Sequence, residues 1–379
     1  MTPRLTVAQG EFDLNRLPKR PRELLRAWDA ADEYLLDTVG EELKQSDGAR
    51  VLIVNDGFGA LAVALNAFRP QAISDSYLSQ QATRLNLAAN GLPEHSVNLL
   101  NSLETPDGLF DWVLIKVPKT LALLEDQLIR LRPHLMPSTR IIVAGMIKML
   151  PPSVWKLLER LVGPTTTSLA RKKARLIFAS PDAGLIVPPS PYPVCYRLEH
   201  TDYLISNHAN VFSRDSLDIG TRFFLQHLPS RQSACDIIDL GCGNGLVGLI
   251  AAERSPDATV HFIDESFMAV ASARDNFQRA FGGRREATFR VGDGLMEVES
   301  ESADLILCNP PFHQQNTVGD QIAVSLFKQS KRVLRKGGEL WVIGNRHLDY
   351  HSYLDRLFGA HSVIAANSKF IIVKVKLAN

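Results

Sequence analysis

Cys235-Asp-Ile-Ile-Asp-Leu-Gly-Cys-Gly-Asn-Gly245 decides how the rest of the chain is read. An apolar run reaches an acid, Asp239, and passes into a turn with glycine at 241, 243 and 245. Such a run reads as a strand. Glycines in the turn after it let the backbone approach a ligand where a β-carbon would clash. The form is D-x-G-x-G-x-G, not the G-x-G-x-x-G expected around a pyrophosphate. An acid ahead of the glycines suits a ligand that carries an ammonium group and is out of place beside a diphosphate. A glycine turn alone also occurs in dinucleotide folds and in ordinary tight turns, so the residues downstream must decide.

Working outward, apolar runs at about 259–264, 288–291, 304–308 and 339–344 alternate with helix-like stretches. Those stretches lie at about 246–254, 266–281, 320–335 and 349–358, and Phe370–Leu377 reads as a further strand with its lysines on the exposed face. Alternation of this kind predicts βαβ units and a mostly parallel α/β sheet. Asp264 ends the second strand, where a carboxylate can accept two hydrogen bonds from a ribose diol, a role common to NAD and S-adenosylmethionine (AdoMet). Asp293 follows the third strand and can accept from an adenine amino group. Each acid taken singly also suits a loop or a helix cap; in this order the three favour a nucleoside ligand.

Asn309-Pro-Pro-Phe312 closes the fourth strand, at the edge that lines the ligand crevice of an open α/β sheet. Methylating an exocyclic amine requires its two N–H groups to be held while the nitrogen lone pair turns to the methyl donor. The Asn309 side-chain oxygen and the Pro310 carbonyl can each accept one N–H, and Phe312 supplies a flat stacking face. A proline-rich turn after a strand is the plainer alternative, but four strands downstream of D-x-G-x-G-x-G the chemical reading is favoured. His313 beside the turn is not assigned a proton-transfer role.

The 379-residue chain is long enough for two domains. A proline-rich stretch, Ser180–Pro193, marks a linker, and the segments on either side echo each other. Arg50-Val-Leu-Ile-Val-Asn55 before Asp56-Gly-Phe-Gly-Ala60 answers the strand and turn at 235–245. Ile73-Ser-Asp75 answers Phe262-Ile-Asp264, Leu114–Pro118 answers Leu305–Pro310, and Lys173–Ile177 answers Lys369–Val373. Four landmarks in one order suggest an internal duplication. The expected division is residues 1–185, a linker at 186–198, and a catalytic domain at 199–379.

Composition sets outer bounds. With 45% hydrophobic and 22% charged residues the chain is globular, and a net charge of +1 announces no nucleic-acid partner in bulk. The longest apolar stretch, near 51–68, is broken by Asn55, Asp56 and Asn66, so no membrane span is expected. Glu11 and Asp13 interrupt any signal-peptide core, and the expected setting is the cytoplasm. Four cysteines without CxxC spacing read as reduced, mostly buried thiols, with no metal site.

D-x-G-x-G-x-G with N-P-P-F resembles the class I methyltransferases that act on amino groups of bases or glutamine. The wider sequence is similar to the bacterial 23S rRNA guanine-N2-methyltransferases of the RsmC/RlmG type. Segments that carry the likeness include Ala30–Leu36, Lys116–Leu124, Gly163–Thr167, Asn207–Arg214, Leu217–Gly220, Asn309–Gln315 and Asn345–Tyr350. The resemblance implies two tandem Rossmann-like methyltransferase domains with seven-stranded sheets, and AdoMet held only by the second. It implies methylation of guanine 1835 in 23S rRNA, with that RNA as partner and a monomeric enzyme. It puts Asn309, Pro310 and Phe312 at the target base. Around the cofactor it puts Asp239, Gly241, Gly243, Gly245, Asp264 and Asp293, with Phe212, Arg214 and Asp218 folding over the methionine end.

The first half lacks what this chemistry needs. Asn55 is read opposite Asp239, the third glycine is read as lost, and Lys116-Val-Pro-Lys119 stands where N-P-P-F would. Its expected use is to grip RNA through Lys19, Arg20, Arg22 and Arg26, and through Arg171, Lys172, Lys173 and Arg175. Arg346 and His347, after the fifth strand, are placed to touch RNA or the target base or to cap the strand end, with Arg346 a further RNA candidate; the basic residues 328–336 are read as surface. The alternatives are a same-class enzyme acting on 16S rRNA guanine-N2, adenine-N6 or protein glutamine, an NAD-dependent dehydrogenase, and a non-catalytic RNA-binding protein.

Overall fold

A computed structural model of the chain describes residues 4–19, 24–46, 48–310 and 317–378. The chain divides into two units, Met1–Tyr192 and Pro193–Asn379. In the first, elements run β1 (Arg4–Val7), β2 (Gly10–Asp13), α1 (Ala30–Lys44), β3 (Val51–Val54), α2 (Ala60–Ala64), β4 (Gln71–Ser74) and α3 (Tyr77–Ala89). They continue as β5 (Asn98–Asn101), β6 (Phe110–Lys116), α4 (Leu121–Leu131), β7 (Leu135–Met146), α5 (Pro152–Leu161), β8 (Thr165–Thr167) and β9 (Ala174–Ala179).

The second unit opens with β10 (Val194–Arg197), β11 (Leu204–Asn207) and α6 (Ile219–His227). Then follow β12 (Cys235–Leu240), α7 (Leu246–Arg254), β13 (Ala258–Asp264), α8 (Phe267–Phe281), β14 (Ala287–Val291) and β15 (Ala303–Cys308). Last come α9 (Thr317–Val333), β16 (Leu334–Asn345), α10 (Tyr350–Phe358), β17 (His361–Ala366) and β18 (Phe370–Lys376).

Both units are built on a seven-stranded sheet, in the orders β5-β4-β3-β6-β7-β9-β8 and β14-β13-β12-β15-β16-β18-β17. In each, six strands run in one direction and one, β9 or β18, runs against both of its neighbours. The α/β class and the mostly parallel sheets are as expected. Helices cover both faces, so central strands are apolar throughout instead of alternating. In β12, Ile237 faces one core cluster with Phe262 and Trp341, while Ile238 and Leu240 face another with Phe327 and Val373. Strand order reverses between β12 and β15, the switch point beside which open α/β sheets bind ligands at the carboxyl ends of their strands.

Three local readings change. Val194–Arg197, inside the stretch 186–198 read as linker, is a strand paired antiparallel with β11, while residues 180–193 carry no helix or strand. The helix expected to reach 335 ends at Val333, because Leu334 already pairs with Ala303 and the register shifts before Leu305 meets Glu339. Strand β17 was not anticipated: Ser362, Val363 and Ala366 are exposed at the sheet edge and leave no apolar pattern to read. The thiols are all free, with Cys242 and Cys308 buried, Cys235 half-buried, and Cys195 exposed against expectation.

Candidate active site

The glycine turn is fixed by backbone and carboxylate together. The N–H groups of Gly241 and Cys242 both donate to the Ile263 carbonyl, at 2.8 and 3.0 Å, tying the turn to the end of β13. Gly243 donates to Asp264 Oδ2 at 2.9 Å, and Ser266 donates to Asp264 Oδ1 at 3.0 Å. These backbone donors fix the direction of the carboxylate at the strand end. All three glycines have positive φ, 72°, 53° and 78°. At Gly243 an added β-carbon would meet nothing within 4 Å, and at Gly241 only the Asn309 carbonyl oxygen at 3.9 Å. Gly245 is different: its β-carbon would lie 2.7 Å from Ala273 Cβ, so it serves the packing of α7 on α8. Gly241 and Gly243 therefore line open space that side chains would fill, a cradle that fits a closely held ligand.

Asp239 lies beneath this turn, 2% exposed, with Oδ2 accepting from the Gly248 N–H at 2.7 Å. Burial pushes its carboxyl up to about 8, against the pull of the Gly248 N–H and with a push from the charge of Asp264. Asp293 follows β14, where burial raises its carboxyl and its backbone oxygen accepts from Met296 at 3.1 Å.

Asn309 follows β15 at the switch point. Its Nδ2 donates to Thr221 Oγ1 at 3.1 Å, while its Oδ1 is buried with no hydrogen-bond partner among the described residues. A buried acceptor left unpaired is costly and is the kind of group that a ligand N–H satisfies. Pro310 is buried beside it. Phe312 and His313 lie outside the described residues. Asp218 caps α6: its Oδ2 accepts from the Thr221 N–H at 2.7 Å and from the Thr221 hydroxyl at 3.2 Å. Phe212 is 67% exposed in the loop before this helix, and Arg214 donates to the Ala209 carbonyl at 3.0 Å and pairs with Asp215. Thus Asp239, Gly241, Gly243, Asp264 and Asn309 lie at or just past the carboxyl ends of the neighbouring strands β12, β13 and β15, and Asp218 reaches Asn309 through Thr221, which the sequence reading misses.

Other structural residues escaped notice. Asn276 on α8 donates to the carbonyls of Ser206 and Asn244, both at 2.9 Å, and accepts from the Ser206 N–H at 2.7 Å. It fastens the glycine turn to β11. Asn86 does the same in the first unit, donating to the carbonyls of Phe58 and Asn15 at 2.8 and 2.9 Å. A signal was present: Asn86 and Asn276 each follow a helix-capping serine, Ser76 or Ser266, by ten residues.

Backbone hydrogen bonds and φ angles correct the alignment of the halves at the turn. Asn55 was read opposite Asp239, yet its N–H donates to Ile73 at 2.9 Å as that of Gly241 does to Ile263, and its φ of 64° matches 72°. Gly59, at φ 82°, precedes α2 as Gly245 precedes α7. Asn55 therefore holds the place of the first glycine, Ile53 stands for Asp239, and the third glycine is retained as Gly59. By strand register Ser74, not Asp75, stands for Asp264. Lys116 does occupy the place of Asn309. Its Nζ sits 2.7 Å from Asp32 Oδ1 and 2.9 Å from Asp29 Oδ1, and Asn55 pairs with Gln127 at 2.8 Å both ways.

The basic candidates are dispersed in role. Arg171 pairs with Asp37 and Lys172 with Glu33, both at 2.8 Å, and Arg26 pairs with Glu33 at 2.9 Å. Arg175 has its Nε buried without a partner among the described residues. Lys19 and Lys173 are exposed, and Arg346 is exposed while donating to the Asn367 carbonyl at 3.2 Å. Arg20 and Arg22 lie outside the described residues. No helix among the described residues is long and apolar enough to cross a membrane, and none of their acidic, cysteine or histidine side chains cluster as a metal site would require.

Two family models match the chain: the RLMG N-terminal domain over residues 2–183 and the methyltransferase small domain over 202–374. A protein of Ectopseudomonas mendocina, "Ribosomal RNA large subunit methyltransferase G", is 52% identical over 98% of this chain and 99% of its own. One of Streptomyces griseus with the same name is 48% identical over 98% of each chain. Among solved structures, a "T. Thermophilus 16S rRNA N2 G1207 methyltransferase (RsmC) in complex with AdoMet and Guanosine" superposes with TM-score 0.77 at 20% identity. It covers 99% of this chain and 97% of that one, and so shares the fold.

Proposed function

The chain belongs to the ribosomal RNA large subunit methyltransferase G family, and from that premise we propose that it methylates the exocyclic N2 of a guanine in 23S rRNA, using AdoMet. The observation that carries this reading is the unpaired, buried Oδ1 of Asn309 at the switch point of the second sheet. An exocyclic amine presents two N–H donors, and Asn309 Oδ1 with the Pro310 carbonyl offers the matching acceptors. Phe312 is assigned the stacking face.

AdoMet, when bound, supplies an electrophilic methyl on a positively charged sulfur. The residues that would hold it are Gly241 and Gly243 in the turn that Gly245 packs in place, Asp264 for the ribose diol, Asp293 for the adenine, and Asp239, Phe212, Arg214 and Asp218 toward the methionine. Asn309 and Pro310 would orient the amine so that its lone pair faces the methyl donor. The surplus proton leaves the nitrogen after transfer, so no strong base is needed and catalysis is mainly positioning. A paired guanine hides its amine, so the base must leave its stack to be methylated.

The first unit is assigned to RNA binding without a cofactor, and the matched sheet orders and caps support its descent from a duplicated domain. Exposed Lys19 and Lys173 are its best phosphate contacts, because Arg171 and Lys172 already have acidic partners. Action as a monomer in the cytoplasm belongs to the same proposal. Nucleosides from the large-subunit rRNA of cells lacking the gene test it. One N2-methylguanosine, expected at position 1835, should vanish and return only with a gene encoding Asn309. An unchanged guanine complement would refute the assignment.

A further inference from the structure

We infer that Thr221 and Asp218 form a relay that fixes which end of the Asn309 amide faces the substrate. The inference deepens the proposed reaction and rests on it. An asparagine side chain has a donor end and an acceptor end of nearly equal shape, and only its partners decide which way it points. With the wrong end in the crevice, Asn309 would present an NH2 group to the donors of an amine.

Threonine alone would not settle this, because a hydroxyl both donates and accepts. Asp218 removes the ambiguity. Its Oδ2 accepts the Thr221 N–H and lies 3.2 Å from Thr221 Oγ1, so the hydroxyl hydrogen is committed to Asp218. Thr221 Oγ1 is left to accept, and it does so from Asn309 Nδ2 at 3.1 Å. Oδ1 is thereby turned away from Thr221, buried and without a partner among the described residues. The carboxylate is itself held in place, because the same Oδ2 caps the helix by accepting the Thr221 N–H at 2.7 Å. Asp218, at the cap, and Thr221, three residues on, are thus a local motif acting across to the end of a distant strand.

The first unit uses the same two places for different chemistry. Asp29 caps α1, Asp32 is three residues on, and Lys116 ends β6. A lysine there has no acceptor end to orient, and the contact is an ion pair. The position is structural in both units; the orientation of an amide is required only in the second.

Thr221 is a positioning residue, and the readouts must separate that from a loss of fold. Thr221→Ala, Thr221→Val and Thr221→Ser are compared with wild type for AdoMet affinity by calorimetry, and for kcat and KM on protein-free 23S rRNA. The relay predicts that the alanine and valine variants bind AdoMet within about twofold of wild type while kcat falls about tenfold or more. KM for RNA should hold, and serine, which restores the hydroxyl, should restore kcat. The relay is refuted if alanine retains wild-type kcat, if its loss lies in KM, or if serine is as impaired as alanine. Should valine lose AdoMet binding through misfolding, the alanine and serine pair still decides. Wild-type enzyme that transfers no methyl to the RNA would overturn the proposed reaction, an outcome distinct from transfer that ignores residue 221.

Discussion

Lys116 and Asp32 form an ion pair at 2.7 Å in the first unit, at the positions that Asn309 and Thr221 hold in the second. Burial by itself would lower the Lys116 ammonium, but the charges of Asp32 and Asp29 outweigh it and hold the group above its ordinary value. A committed cation therefore occupies the place where the second unit offers an acceptor.

Removing that cation leaves two carboxylates without it, one of them fully buried. Lys116→Met should destabilise the first unit by about 3–5 kcal/mol, the usual cost of stripping a buried pair of one partner. Calorimetric unfolding should show a lowered first transition, while AdoMet affinity, which belongs to the second unit, stays within about twofold. A first transition left at its original temperature would contradict the role given to the pair.

Two glycines two residues apart should fail in different ways. Gly243→Ala places a methyl in open space at φ 53°, so the fold loses only about 1–2 kcal/mol while the cradle is obstructed and AdoMet affinity drops. Gly245→Ala drives its methyl to 2.7 Å from Ala273 Cβ, so the second unit itself should lose stability. Paired melting curves and titrations separate these outcomes. Equal melting losses would argue against the distinction.

Asp239 links cofactor binding to pH. With its carboxyl near 8 in the fold, it is protonated at neutral pH, whereas a ligand ammonium favours the ionised form. Binding should then release a proton, and affinity should climb as pH rises toward 8, by up to about tenfold per unit. Asp239→Asn should flatten that climb. Stability runs the other way: a raised carboxyl contributes fully below its unfolded value, and that contribution is lost as pH rises toward 8. Calorimetry in buffers of different ionisation heat measures the released proton directly; its absence would dissociate Asp239 from the ligand's ammonium.

The second unit was largely legible because its turn chemistry is local. An acid, three glycines and a proline pair mark the strand ends whatever the rest of the chain does. The first unit was misread by two residues at its turn because letters were matched instead of conformations. Gly57 and Gly59 were set against Gly241 and Gly243, whereas asparagine tolerates positive φ and Asn55 fills the first glycine's place. The serine caps at 76 and 266 carry the register of Ser74 and Asp264, while that of the turn differs by four residues and shows only in its backbone conformation. Thr221 was invisible for another reason. Its partner lies 88 residues away, and nothing local distinguishes a threonine that orients an amide from one on a helix surface. Arg171 and Lys172 looked like a phosphate grip because the acids on α1 that pair with them are distant in sequence.

The most direct measurement is transfer of labelled methyl from AdoMet to protein-free 23S rRNA, followed by nucleoside mapping, with Asn309→Ala beside the wild type. A clamp at Asn309 predicts N2-methylguanosine from the wild-type enzyme. The variant should bind AdoMet normally but transfer roughly 100-fold more slowly or worse, as when one preorganised polar contact at a reacting centre is lost. Label on adenine, or transfer by the variant at the wild-type rate, would contradict it.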